Sequence, residues 1–263
     1  MNRPRVVVLM YHGLYDGERE LADIDAADRP YAVSMAGFRE QLDALRDTGI
    51  RVIDPRQLTR SVPPEGGVVV TFDDGHGSNH RLAWPELQSR GWQGLFFVTS
   101  DFIGARRGFC SWPQLREMAQ AGMTIGSHGR THRFFDDMDD AGARAEFIDS
   151  KSAIEEHVGA PVDQISFPGG RHTRKQLALG RQAGYALLHT SAIGSCPARP
   201  LAWGASVPRV AIKGGTPLPQ FLAMARAETA TMLPAQLIAA AKRGIRLGLG
   251  NRLYHALYER VAG

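Results

Sequence analysis

The sequence predicts an α/β fold of parallel strand–helix–strand units, forming either an open sheet or a closed barrel. Short apolar runs with high β-propensity alternate with helical patterns along the chain. The length of 263 residues is common for one α/β barrel, and no internal repeat interrupts the pattern. In such folds, binding and catalytic sites lie in the loops that follow the carboxyl ends of the strands.

Seven segments are predicted as strands because they are short, apolar and bounded by turn residues. In chain order they are Arg5–Tyr11, Val68–Phe72, Gly94–Val98, Thr124–Gly126, Ile165–Phe167, Ala186–Leu188 and Val207–Ile212. Helical patterns are predicted at Met35–Arg46 (with Ser34 as N-cap), Trp112–Ala121, Ala143–Val158, Pro217–Thr231 and Pro234–Val261. We therefore predict an α/β domain, with its sheet open or closed into a barrel, over residues 1–215 and a helical C-terminal extension, residues 216–263, packed on the same domain.

The composition indicates an ordinary globular protein, with 43% hydrophobic and 22% charged residues. Cys110 and Cys196 do not form a Cys-x-x-Cys pair, which argues against a zinc knuckle and implies no oxidising compartment. The N-terminus shows no signal-peptide pattern, and no segment approaches the roughly 18–20 apolar residues that span a bilayer. These features predict a cytoplasmic protein.

The first chemical motif is Thr-Phe-Asp-Asp-Gly, at the end of the second predicted strand. Asp73 and Asp74 would point to opposite faces of a continuing strand, so they share a site only if the strand ends there. Gly75 permits such a turn. Two adjacent carboxylates suit one metal ligand beside one general base, whereas an acidic surface turn is the alternative.

The second motif is Ser-His-Gly-Arg-Thr-His, which follows the strand Thr124–Gly126. His128 and His132 are four residues apart, so they share one face if this segment is helical. Alone, the pair could be coincidental. With Asp74, it supplies three ligands and leaves an open coordination position, as a catalytic zinc site requires.

These two motifs resemble those of the polysaccharide deacetylase family (NodB homology, carbohydrate esterase family 4). The similarity covers about residues 5–212 and includes the run from Trp112 to His128. The resemblance implies a distorted (β/α)7-type barrel, with Asp73 as general base. It implies one divalent metal on Asp74, His128 and His132, with zinc favoured over cobalt, nickel or iron.

The first strand ends in Leu-Met-Tyr-His-Gly, which resembles the circularly permuted, exopolysaccharide-modifying members of this family. In that subgroup a histidine here is the general acid, which implies this role for His12. A Leu-x-His motif near the C-terminus, the usual source of the acid, is not found. A histidine that merely caps the strand is the alternative.

The segment Ser-Phe-Pro-Gly-Gly-Arg departs from the family pattern of Arg-x-Pro and an aromatic residue. Ser166 stands in the place of the arginine and Gly169 in that of the aromatic residue. We expect Pro168, Gly169 and Arg171 to line the oxyanion and substrate site, where the Gly169 N–H could bind the oxyanion. Arg171 is a candidate substitute for the missing arginine that orients the base.

The predicted function is hydrolysis of N-acetyl groups on an amino sugar or polysaccharide, with metal-bound water as nucleophile. Alternatives are an amidase on a non-sugar C–N bond, a non-catalytic sugar-binding relative, and a non-haem iron oxygenase. The sequence predicts a carbohydrate substrate and no nucleic-acid partner.

The C-terminal residues 234–263 hold five basic side chains and one acidic one, which accounts for the whole net charge of +4. Leu237, Ala241, Ile245, Leu249, Leu253 and Leu257 recur every four residues. A helix folded back on the barrel is one interpretation. The other is peripheral contact with an anionic membrane or a glycan-assembly complex.

Overall fold

The structure is a computed structural model that describes residues 3–24, 26, 28–234, 236–238 and 240–241. Its strands are β1 (Arg5–Tyr11), β2 (Leu14–Tyr15), β3 (Val33–Ser34), β4 (Gly67–Phe72), β5 (Leu95–Val98), β6 (Thr124–Ser127), β7 (Gln164–Ser166), β8 (Leu187–His189), β9 (Cys196–Pro197), β10 (Ala205–Val207) and β11 (Val210–Ala211). Its α-helices include α1 (Glu18–Asp23), α2 (Met35–Asp47), α3 (Trp84–Ser89), α4 (Trp112–Gln120), α5 (Asp140–Val158), α6 (Arg174–Gln182) and α7 (Leu218–Ala225).

The main sheet has the order β10-β8-β7-β6-β5-β4-β1-β11, and each neighbouring pair in it is parallel. β9 pairs with β1 in the antiparallel direction, so the sheet is mixed. The sheet curves into a nearly closed barrel, which confirms the predicted fold class. Because the strands in this order are all parallel, their carboxyl ends meet at one end of the barrel.

Apolar side chains pack on both faces of the barrel sheet. In β1, Val7 and Leu9 belong to the large cluster that the helices cover, whereas Val6 and Val8 belong to a smaller cluster on the other face. This alternation follows from the two-residue period of a strand. The even-numbered residues of β1 and the odd-numbered residues of β4, such as Val69, therefore share the second face.

Most predicted elements are found within a few residues of their expected bounds. Ser34 caps α2 by accepting a hydrogen bond from the N–H of Gly37, as expected. The predicted single strand Val207–Ile212 is wrong, because Pro208 and Arg209 separate β10 from β11. Proline has no N–H to give to a strand ladder, and it interrupts the pairing here.

The predicted helix Pro217–Thr231 is shorter in the structure, where α7 ends at Ala225 and Ala227 has a φ of 57°. α7 buries Phe221 in the large core cluster. Most of the predicted helix Pro234–Val261, with its basic residues, lies outside the described residues. The boundary at residue 215 and the peripheral contact of the tail stay predictions. None of the helices in the described part of the chain has the length and apolar character needed to cross a bilayer.

Candidate metal centre and catalytic site

The predicted site residues follow the carboxyl ends of three parallel strands. His12 follows β1, the Asp73–Asp74 pair follows β4, and His128 follows β6. Backbone hydrogen bonds extend the strand pairing into these residues: the N–H of Asp73 donates to the Tyr11 carbonyl at 2.9 Å, and that of His128 to the Val98 carbonyl at 2.8 Å. The fold thus brings residues that are far apart in sequence to one end of the barrel.

The predicted metal ligands lie together. Oδ1 of Asp74 is 3.1 Å from Nε2 of His132 and 3.3 Å from Nε2 of His128. One donor atom from each residue lies within 4.8 Å of the other two. Asp74 and His128 are buried, whereas the His132 side chain is 36% exposed.

The two histidines do not share a helix face, because the segment that carries them is not helical. Residues 128–134 form an irregular loop after β6, and His132 has a φ of 65°. Asp74 also has a positive φ, 76°, which turns its side chain away from the path of β4. Local backbone turns, which cost free energy for residues other than glycine, bring the three side chains together.

The hydrogen bonding of His128 fits a metal ligand. Its Nδ1 lies 2.9 Å from the carbonyl oxygen of Ser166, which can only accept, so Nδ1 carries the hydrogen. In a neutral ring, Nε2 then presents a lone pair to the Asp74 carboxylate. That arrangement is favourable with a cation between the two groups, and a backbone carbonyl behind a histidine is a common support for a ligand.

A third histidine, which sequence reasoning missed, contacts the other oxygen of Asp74. Nε2 of His76 is 3.5 Å from Oδ2 of Asp74, and the His76 ring stacks on Phe109 with a centroid distance of 4.9 Å. Burial raises the pKa of Asp74, but its contacts with the three imidazoles outweigh burial and hold the pKa well below the usual value. Asp74 is therefore ionised and available as a ligand.

Asp73 occupies a separate, buried position beside the candidate metal centre. Nη1 and Nη2 of Arg209 donate to its two oxygens at 2.7 and 2.8 Å, and the Ser166 hydroxyl donates to Oδ2 at 3.2 Å. Burial raises the pKa of Asp73, but the charge and the hydrogen bonds of Arg209 lower it, and the pKa falls to about 2. A carboxylate held in this way is ionised and fixed in orientation.

The expectation that Arg171 orients the base is wrong. Nε of Arg171 donates to Asp136 at 2.9 Å and Nη2 to Asp137 at 2.8 Å, while Arg209 pairs with Asp73. Arg209 reaches Asp73 from the break between β10 and β11 and is 1% exposed. Its Nη2 also donates to the Ser166 hydroxyl at 2.6 Å. Ser166, which stands in the place of the family arginine, therefore contacts Arg209, the arginine that pairs with Asp73 in this chain.

The segment after the Asp-Asp-Gly motif anchors the His12 loop. Nδ2 of Asn79 donates to the His12 carbonyl at 3.1 Å, and the Leu14 N–H donates to the Ser78 hydroxyl at 2.9 Å. The buried Nδ1 of His12 has no hydrogen-bond partner among the residues that the structure describes. Burial lowers the pKa of His12, although Asp74 and Asp73 act in the opposite direction.

Pro168 and Gly169 begin a short turn after β7. The hydrogen bonds of this turn come from the N–H groups of Gly170 and Arg171, and that of Gly169 takes no part in them. Gly169 has a φ of 59°, and a Cβ there would lie 2.8 Å from Cε1 of Phe134. Only glycine fits this turn without displacing the Phe134 ring.

The protein-family model for polysaccharide deacetylases matches residues 60–188 of the chain. The matched segment contains both the Asp-Asp-Gly and the two-histidine motifs. Residues 60–188 belong to a polysaccharide deacetylase domain. This finding confirms the resemblance stated above.

Curated relatives of the deacetylase domain include YxkH of Bacillus subtilis, 26% identical over 196 residues, or 73% of this chain and 66% of the relative. Another is the poly-beta-1,6-N-acetyl-D-glucosamine N-deacetylase of Escherichia coli K12, 26% identical over 143 residues, or 46% of this chain and 20% of the relative. The chain thus spans less than two thirds of either relative.

Solved structures support the fold of the deacetylase domain. IcaB from Ammonifex degensii is 29% identical, with a TM-score of 0.69 over 85% of this chain and 98% of that one. The Streptococcus pyogenes deacetylase PplD, solved with acetate, is 22% identical, with a TM-score of 0.73 over 85% of this chain and 99% of that one.

Proposed function

We propose that the chain is a metal-dependent deacetylase that hydrolyses N-acetyl groups on an amino-sugar polymer. The observation that carries this proposal is the pairing of two separate units at one end of the barrel. One is the Asp74, His128 and His132 cluster, which has the donor types of a catalytic metal site. The other is Asp73, an ionised carboxylate held by Arg209.

Asp74, His128 and His132 would hold one divalent cation, for which zinc is our first choice. Two imidazole nitrogens and one carboxylate oxygen suit zinc, cobalt, nickel or iron. When bound, the cation would polarise the acetyl carbonyl and lower the pKa of the attacking water. His128 is kept in the required tautomer by the Ser166 carbonyl.

The residues of the chain supply the proton transfers. Asp73 takes a proton from the water that attacks the amide carbon, and Arg209 fixes the carboxylate for that step. The N–H of Gly169 donates to the acetyl oxygen as negative charge develops on it. His12 gives a proton to the departing amine, because an amine leaves poorly without one.

Arg209 favours a catalytic protein over a non-catalytic, sugar-binding relative. The altered Ser-Phe-Pro-Gly-Gly motif motivated that alternative, because it lacks the arginine that orients the base. A guanidinium that is 1% exposed and pairs with both oxygens of Asp73 supplies the missing group from another loop. A binding protein has no need for a fixed, ionised base beside a set of metal ligands.

The domain family and the poly-N-acetylglucosamine deacetylase among its relatives support the proposed substrate class. We expect acetate release from a β-1,6-linked N-acetylglucosamine oligomer, measured against a panel that includes β-1,4-linked oligomers and non-sugar acetamides. His128→Ala serves as the control, and its acetate release should fall to background. Turnover of the non-sugar acetamides alone would favour the amidase instead, and release of no acetate from any substrate would refute the proposal.

A further inference from the structure

A buried carboxylate on α5 contacts the loop that carries the two histidines. Oε2 of Glu146 accepts hydrogen bonds from the N–H groups of Arg130 and Thr131, at 2.6 and 3.0 Å. Oε1 accepts from the Thr131 hydroxyl at 2.5 Å. Glu146 is 5% exposed, so these bonds form away from bulk water.

A second hydrogen bond joins the start of this loop to α5, one helical turn after Glu146. The Ser127 hydroxyl accepts from the N–H of Gly129 at 3.0 Å and lies 2.8 Å from the hydroxyl of Ser150. Glu146 and Ser150 are four residues apart and therefore lie on one face of α5. That face contacts the loop at its start and at its middle.

The hydrogen bonds of Glu146 lie next to the candidate metal ligands in the chain. Arg130 and Thr131 lie between His128 and His132, in a segment without regular secondary structure. Fixing their N–H groups fixes the path of the backbone from one imidazole to the other. A Cβ at Gly129 would lie 2.9 Å from Oε2 of Glu146, which shows how closely the loop approaches the carboxylate.

We infer that Glu146 is a positioning residue, which sets the separation of His128 and His132 and thereby raises the affinity of the cluster for its metal. The inference rests on the proposed function, because it assumes that the cluster binds a divalent cation. Groups that support metal ligands without touching the metal typically contribute about 10- to 100-fold to affinity. In the described contacts, Glu146 touches neither the side chains of the metal ligands nor Asp73.

The test compares zinc affinity, by competition with a chromogenic chelator, in the full chain and in three variants at this position. Glu146→Met removes all acceptors and should weaken zinc binding about 10- to 100-fold. Glu146→Asp keeps the charge but shortens the side chain, and it should also bind zinc more weakly. Glu146→Gln keeps the length and can retain all three contacts, since the Thr131 hydroxyl can accept as well as donate; we expect near-wild-type affinity.

Glu155→Met is the matched control. Glu155 lies on the same helix and accepts a backbone hydrogen bond from Val162 at 2.8 Å, on another loop. This variant should keep wild-type zinc affinity, even if unfolding of the metal-free protein shows equal destabilisation. If Glu146→Met does not fold, Glu146→Asp carries the comparison.

Wild-type zinc affinity in Glu146→Met or in Glu146→Asp would overturn the inference, and so would an equal loss in Glu155→Met. In those cases the proposed function stands, provided that wild type binds zinc and His128→Ala does not. Failure of the wild-type chain to bind any divalent metal would instead refute the proposed function itself. At saturating zinc, kcat of the Glu146 variants should return to within a few-fold of wild type, which a damaged catalytic site would not allow.

Discussion

Asp73→Asn is expected to abolish turnover while the metal stays bound. Loss of a general base typically lowers kcat by about 10²- to 10⁴-fold. The metal should remain because the oxygens of Asp73 contact Arg209 and Ser166, whereas the two histidines face Asp74. The measurements are metal content per chain and initial rate of acetate release for each purified variant.

Asp74→Asn is the matched control for this prediction, since it changes the neighbouring carboxylate in the same way. We expect it to lose metal and activity together, because the amide is a weaker ligand and cannot balance the charge of the cation. If Asp73→Asn lost the metal and Asp74→Asn kept it, the roles of the two residues would have to be exchanged.

Arg209→Met is expected to have the second large effect, on stability as well as turnover. It leaves the Asp73 carboxylate buried without its charged partner, and breaking a buried ion pair in this way typically costs about 3–5 kcal/mol of unfolding free energy. Turnover should fall with it, because the base loses the two hydrogen bonds that orient it. Thermal unfolding and kcat, both at saturating metal, are the measurements.

The double variant Asp73→Asn/Arg209→Met separates the pair from the rest of the fold. Removing both charges should cost less stability than the two single changes together, because neither group is then buried alone. Arg209→Lys keeps the charge but not the two-pronged contact, so intermediate turnover is expected. Additive losses in the double variant, or full turnover in Arg209→Met, would contradict the assigned contact.

The local sequence pattern predicted those parts of the site whose residues are close together in the chain. The strand before Asp73 ends where Gly75 suggested, and the neighbouring strands bring His12 and His128 to the same end of the barrel. The pairing of His128 with His132 was expected for an incorrect reason. Their spacing suits a helix, but the chain forms a loop, which depends on tertiary contacts with α5.

Arg209 was missed because its partner is 136 positions away in the sequence. The available signal was a charged residue after Pro208, between the β-prone residues Val207 and Val210. A charge in such a buried segment needs a partner, yet the sequence does not say which carboxylate provides it. The contact of Glu146 with Thr131, 15 positions away, depends in the same way on tertiary packing. His76 lies only two residues after Asp74, so its position directly after the Asp-Asp-Gly motif was the available signal.

We propose that one divalent cation on Asp74, His128 and His132 is required for deacetylation. The most direct test is to remove metal from the wild-type chain with a chelator, exchange the chelator away, and add zinc in steps while acetate release is measured. We predict background activity without metal and a rise that reaches its plateau at one equivalent of zinc per chain. Full acetate release by the metal-free chain, or no activity at any zinc, cobalt, nickel or iron concentration, would contradict the account.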